Sequence, residues 1–327
     1  MMRNLLLLLL ALVGAWRAEA QLDPRVAKLE ADMLIEGDFR RVCNTAEELS
    51  GYMEVIVNPT NRLSLYLFRS LSESLMVSSD QGTELRLEEV RELVAELHGM
   101  ESRYGGLFSL AQALRQMERN SAEAEALSAE ALRILRHACG AESREAAFAQ
   151  MAYGQALIRN KKAAVAAEQL TETIALLKRN KYDQPWLGSH SHATLAMAYV
   201  QQGMGDQAVV EVEKAINLVN ELEQDVRMTA VALYPFGVVL YFYIAAGNYD
   251  DAIELGNVLR QQLEELYMVT GLDYGTLLFN IGAAYHYKQD LPKAKEFYHQ
   301  AKQHYETYGF SNTEAYRKLI TLLEQIP

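Results

Sequence analysis

Proline is scarce in this chain, at six of 327 residues, and cysteine scarcer still, at two. With so little proline and so much Ala, Leu, Glu and Gln, the composition favours helix over sheet. No dense run of Lys or Arg occurs, and the net charge is −12. That balance argues against a nucleic-acid partner and disfavours an anionic membrane surface. No HExxH, no glycine-rich phosphate loop and no Gly-x-Ser-x-Gly is present. The many Asp and Glu fall on solvated helix faces at regular spacing, so no pair stands out as a general acid and base. No Asn-x-Ser/Thr sequon exists, because Pro59 disqualifies Asn58-Pro59-Thr60, which points weakly to a bacterial periplasm. A disulfide is chemically open in an oxidising compartment. Cys43 and Cys139 nevertheless lie 96 residues apart, too far to bridge in an elongated array. They are expected as two buried or capped thiols.

Residues 1–20 stand apart from the rest. Arg3 is followed by LLLLLLALVGAW, and then by AEA with alanines at 18 and 20. A positive start, a twelve-residue apolar core and an A-x-A site describe a secretory signal cleaved after Ala20. The apolar stretch is too short to span a bilayer as a helix. No Cys follows the cleavage point, which argues against a lipoprotein. The mature chain would begin at Gln21, with a net charge of −13 and a periplasmic or secreted location.

A second apolar stretch raises the question of a membrane span. Residues 228–249 carry no charge, and about 20 apolar residues suffice to cross a bilayer. Internal periodicity answers it. In GNYDDAIEL, Ala252 follows Gly247 by five residues and Tyr243 by nine. The same frame holds Tyr199, Gly203 and Ala208, then Tyr285, Gln289 and Ala294, then Leu157, Lys161 and Ala166. A weaker fifth copy holds Ala124. The aligned alanines at 124, 166, 208, 252 and 294 are spaced 42, 42, 44 and 42 residues apart. The uncharged run is therefore expected to be the first helix of one repeat, buried between neighbours and interrupted by Pro235, Gly237 and Gly247.

Each unit reads as two helices joined by a tight turn. A small residue three positions before the aromatic (Gly154, Ala196, Gly282) admits a neighbouring helix. Gly203 and Gly247 suit a left-handed C-cap. Asp206, Asp250 and Asp290 stand where the second helix starts, favourable for capping and for the helix dipole. Large residues such as Val212 and Tyr298 fill the seam, with Ala215 and Ala301 three positions on, all on one helix face. Gln289 and Lys161 replace the turn glycine, and Leu240 replaces the small residue.

These residues resemble the tetratricopeptide repeat (TPR) family over roughly residues 100–327, in the longer-period variant of kinesin light chains. The resemblance implies an all-α, right-handed α-α superhelix. It divides the chain into residues 21–100 (a degenerate helical region), 101–310 (the array) and 311–327 (a capping helix). Within 21–100, Gly37 and Phe39 repeat the turn, Val42 replaces the alanine, and NPT at 58–60 breaks the helix pattern.

In the resembled family the first helices line a concave face that holds peptides. The matching side here carries Gln155, Arg159, Met197, Gln201, Tyr241, Asn280 and Tyr287. Asn280, in LFNIGAAY, resembles the family's asparagine that contacts peptide backbone, and an amide can both donate and accept. Aromatic and Met side chains give adaptable apolar contact. Lys is sparse on this side, so a hydrophobic or mixed peptide fits better than an acidic tail. The expected function is an exported scaffold or adaptor binding a protein or peptide, in an envelope assembly or transport complex, with no enzyme activity, cofactor or metal. Two alternatives stand beside it. One is a metal- or ligand-dependent enzyme or sensor using the N-terminal region or His190 and His192, which sit at a helix entry and point in different directions. The other is a structural homo-oligomer.

Overall fold

The computed structural model describes residues 22–76, 81–182, 184–222, 230–265 and 269–326. The expected signal segment lies outside these residues. Among the described residues every regular element is helical: α1 (Pro24–Ala31), α2 (Phe39–Ser50), α3 (Met53–Ile56), α4 (Pro59–Leu75), α5 (Gln81–Leu97), α6 (Arg103–Gln116), α7 (Ser121–Cys139) and α8 (Arg144–Arg159). The chain continues with α9 (Ala163–Arg179), α10 (Pro185–Gln201), α11 (Gly205–Glu221), α12 (Ala230–Ala245), α13 (Tyr249–Glu265), α14 (Leu272–Tyr287), α15 (Leu291–Thr307) and α16 (Glu314–Gln325). One π-helical turn, Asp32–Glu36, extends α1.

Helices α6 to α15 form five consecutive hairpins, each packed on the next. The five aligned alanines, Ala124, Ala166, Ala208, Ala252 and Ala294, are all fully buried. A methyl group is what lets the two helices of a hairpin cross closely there. The turns are equally regular. Backbone N–H groups of Lys162, Met204, Asn248 and Asp290 donate to the carbonyls of Leu157, Tyr199, Tyr243 and Tyr285, each at 2.9 Å. These are the same six-to-one closures of a helix C-terminus. They put Tyr199, Tyr243 and Tyr285 in equivalent, half-buried slots. The residue before each donor is left-handed: φ is 73° at Gly203, 80° at Gly247, 59° at Lys161 and 68° at Gln289. The turn geometry therefore persists where glycine is replaced. Asp290 caps α15 by accepting from the Lys293 N–H, while Asp206 and Asp250 sit in the first turns of α11 and α13.

The uncharged run is the first helix of the fourth hairpin. Pro235 and Gly237 do not interrupt it, since α12 runs through both to Ala245. Gly247 does end it, through its left-handed backbone. No helix among the described residues is long and apolar enough to cross a membrane. Both cysteines are free thiols, and burial pushes Cys43 up to about 12.

Toward the N-terminus, Asn58 caps α4 and Pro59 occupies its first turn, so the NPT break is a helix start. Helices α4 and α5 pair and pack on α6. Gly37 is left-handed at 72°, Phe39 opens α2, and Val42 is fully buried. The α1–α2 connection reaches far along the chain. Gln184 donates to the Leu34 carbonyl, and fully buried Trp186 packs edge-on between Phe39 and Phe148, with ring centroids 5.2 and 5.3 Å away.

The two ends of the array also meet. The Glu314 N–H donates to the Glu118 carbonyl at 3.1 Å. Leu272, Phe310 and Thr313 close a small cavity with Ser74, Leu114 and Arg119. The start of the fifth hairpin and the foot of α16 thus land on the ends of α4 and α6. Beyond that contact α16 is amphipathic, with Leu319 buried and Arg317 and Lys318 exposed.

Candidate functional site

The first helices of hairpins two to five (α8, α10, α12, α14) supply the inner wall of the superhelix. Repeat register sets which side chains reach it. Counting back six residues from the small position of each hairpin gives Phe148, His190, Tyr234 and Thr276. The first three are joined into a spine by ring contacts. The Trp186 ring, packed on Phe148, lies 6.1 Å from His190, whose ring stacks on Tyr234 at 5.2 Å. Tyr234 and Thr194 hydroxyls are 3.2 Å apart, as are those of Thr276 and Tyr305.

Electrostatics follow from this enclosure. Burial holds the buried His190 down to about 4, against the opposing bond to the Trp186 carbonyl, so the ring is neutral. With Nδ1 3.0 Å from that carbonyl, the proton sits on Nδ1. Burial raises the Tyr234 phenol, partly offset by hydrogen bonds with Thr194 and Gln155. Gln155 is on α8 and Tyr234 on α12, so first helices two hairpins apart touch across the interior. Asp273, in the first turn of α14, is pushed up to about 6 by burial, with Arg159 pulling the other way. It keeps partial access to water and makes no hydrogen bond or ion pair with any described residue.

The residues expected on the concave face fall into two groups. Gln155, Arg159 and Gln201 are engaged within the array. Gln155 meets Tyr234, Arg159 donates to Glu118 at 2.8 Å, and Gln201 donates to the Ile158 carbonyl at 3.3 Å. Met197 is half-buried between two apolar clusters. Tyr241 and Tyr287 are exposed, Tyr287 stacking on Tyr249 at 6.0 Å. Asn280 is half-buried and shares a face of α14 with Asp273 and Thr276, at three- and four-residue steps. Sequence reasoning missed Thr194, Tyr234, Asp273, Thr276 and Tyr305. The signal for four of them was available: Thr194, Tyr234, Asp273 and Thr276 lie one to two turns earlier on the same helix faces.

His190 and His192 are not at a helix entry, because α10 starts at Pro185. They do diverge. His190 faces the spine, and His192 Nδ1 is 2.5 Å from Glu211 on α11. Among the described residues no three His, Cys, Asp or Glu gather as metal ligands. A separate cavity of about 730 Å³ lies between α1 with its π turn, the α7–α8 connection and the residues just after α9, lined by Glu30, Cys139, Glu142, Arg144 and Tyr182. Its carboxylates are already held, Glu30 by Arg103 and Glu142 by Arg179.

No protein-family model and no curated protein matches the chain. Solved structures do. The Rap protein complexed with competence and sporulation factor is similar at a TM-score of 0.58 and 11% identity, over 91% of this chain and 82% of that one. A putative kinesin light chain with nearly identical TPR-like repeats from Podosopora anserina is similar at a TM-score of 0.43 and 19% identity, over 61% of this chain and 94% of that one. A point variant of that same kinesin light chain gives a TM-score of 0.44 and 19% identity, over 61% and 93%. The likeness to the Rap structure covers nearly the whole of this chain. The chain has the fold of an all-α, right-handed superhelix of TPR-like hairpins.

Proposed function

We propose that the protein is an exported, non-enzymatic scaffold that takes a segment of a protein or peptide partner into the interior of its superhelix. The observation that carries this reading is the inner wall itself. Three successive first helices, α8, α10 and α12, bring hydroxyl, amide and aromatic groups together, beside the exposed Tyr241 and the unengaged Asn280 amide of α14. Amides and hydroxyls are what an extended backbone needs, and aromatic faces supply sequence-tolerant apolar contact. The contacts of Gln155 with Tyr234, and of Glu314 with Glu118, are ones an entering segment would exchange for its own. The similarity in fold to a Rap protein solved in complex with competence and sporulation factor is in keeping with a scaffold that takes a partner. Export rests on residues 1–20, and the envelope is the compartment in which the partner is sought.

The test is capture from an envelope extract by the wild type and by the Tyr241→Ala/Asn280→Ala double variant. The expected result is selective loss of one bound protein, with helicity by circular dichroism unchanged. Equal capture by both overturns the reading.

A further inference from the structure

Resting on the reading above, we infer that the partner segment carries a cationic nitrogen, from a Lys or Arg side chain or a free amino terminus, that pairs with Asp273 inside the superhelix. The interior holds an unbalanced set of polar groups. The Thr194 and Tyr234 hydroxyls satisfy each other, as do those of Thr276 and Tyr305, and Gln155 joins Tyr234. Among the described residues Arg159 is the cation acting on Asp273, and its guanidinium is already committed to Glu118 in a two-point contact. Asp273 is left as a half-buried carboxylate, partly reachable by water, with no bonded partner among the described residues.

Withdrawing a charge from water is costly unless a partner and hydrogen bonds replace the lost solvation. A cation delivered by the ligand supplies both. The carboxylate stands alone rather than within a cluster of three ligating groups among the described residues, so the site suits a monovalent organic cation and not a hard divalent ion, which takes six or more oxygens. Asn280 lies two turns further along the same face of α14 and is placed to receive the backbone beyond the cationic group.

The experiment measures fluorescence polarisation with four pools of labelled octapeptides. One is N-acetylated with Lys or Arg at a fixed position, one is neutral with a free amine, one is neutral and acetylated, and one is acetylated with Glu. Proteins are the wild type, Asp273→Asn and Tyr241→Ala, each checked for a cooperative thermal transition. Wild type is expected to bind one of the two cationic pools at least tenfold tighter than the neutral acetylated pool, and the stronger of the two identifies the source of the nitrogen. Asp273→Asn is expected to bring that preference within twofold, while Tyr241→Ala weakens all pools alike. Equal affinity of wild type for all pools, or an unchanged preference in Asp273→Asn, overturns the inference and leaves the scaffold reading standing. Absence of binding by any pool to the wild type overturns both.

Discussion

Leu240 and Gly256 exchange the roles that their counterparts play in the other hairpins. In the second hairpin Gly154 on the first helix faces Leu170 on the second, and in the fifth Gly282 faces Tyr298. In the fourth the large residue, Leu240, is on the first helix and the glycine is on the second. All three pairs are sixteen residues apart, so the register is kept and a small residue faces a large one across each seam. The space at Gly256 also admits Ile281 of the next hairpin: a Cβ there would lie 2.5 Å from Ile281 Cγ1.

Gly256→Ala is therefore expected to destabilise the protein by about 1–3 kcal/mol through overpacking. Leu240→Ala, which empties a fully buried position, should cost about 2–5 kcal/mol. Urea melts of Gly256→Ala, Ile281→Ala and the double variant check the mechanism. The double variant should lose less than the sum of the singles, and strict additivity would show that the two side chains do not compete for one space.

Lys161 and Gln289 adopt the left-handed backbone that Gly203 and Gly247 adopt in the sister turns. An L side chain pays about 1–2 kcal/mol for that conformation, and glycine returns part of the gain as unfolded-chain entropy. Lys161→Gly and Gln289→Gly should each raise stability by up to about 1 kcal/mol. Gly203→Ala and Gly247→Ala, whose added methyl would meet nothing within 4 Å, should lower it by a similar amount through backbone strain alone. Equilibrium denaturation of the four variants decides, and a loss on Lys161→Gly would speak against the shared turn.

Asp273 links stability to pH. Its carboxyl is raised from 3.8 to about 6 by burial, so the folded state holds a proton that the unfolded state has released between those values. Stability contributed at this site is full below about pH 4 and is lost as pH rises through about 6. The loss is on the order of 3 kcal/mol. Arg159, itself paired with Glu118, is the charged group acting on Asp273, and the Tyr234 and Tyr305 hydroxyls feel the carboxylate. Subtracting the Asp273→Asn pH profile from that of the wild type isolates the effect. A flat difference between pH 4 and 7 would contradict the enclosed placement.

Trp186 reports on the docking of the N-terminal helices, because Phe39 from α2 and Phe148 from α8 form its two walls. A chain beginning at Gln21 contains no other tryptophan. Phe39→Ala should red-shift its emission and cost about 3–5 kcal/mol. Gly37→Ala should act in the same direction, since its Cβ would stand 2.6 Å from the indole on a left-handed backbone. Unchanged emission in both variants would place the α1–α2 connection away from the array.

The array was legible because its signals are local. Spacings of 42 to 44 residues placed Ala124, Ala166, Ala208, Ala252 and Ala294 in one register, and each is fully buried. Lys161 and Gln289 could be aligned by position although neither resembles a turn glycine. Pro235 misled, because it lies inside α12, where a proline removes a backbone hydrogen bond, and yet the helix continues through it to Ala245. The interior was less legible for a different reason. Whether Gln155 reaches Tyr234, or Arg159 acts on Asp273, depends on how tightly successive hairpins rotate, a sum over several interfaces that no single helix encodes. The bond from Gln184 to the Leu34 carbonyl spans 150 residues and has no periodic trace at all.

The most direct test of an interior binding surface is site-specific photo-crosslinking with the cationic octapeptide pool. A benzoylphenylalanine is introduced in place of Tyr241 on α12 in one protein, and in place of the exposed Val210 on the outer helix α11 in another. Crosslinked peptide at 241 and none at 210 is the predicted result. Crosslinking at 210 with none at 241 would contradict it and move the working surface to the outside of the superhelix.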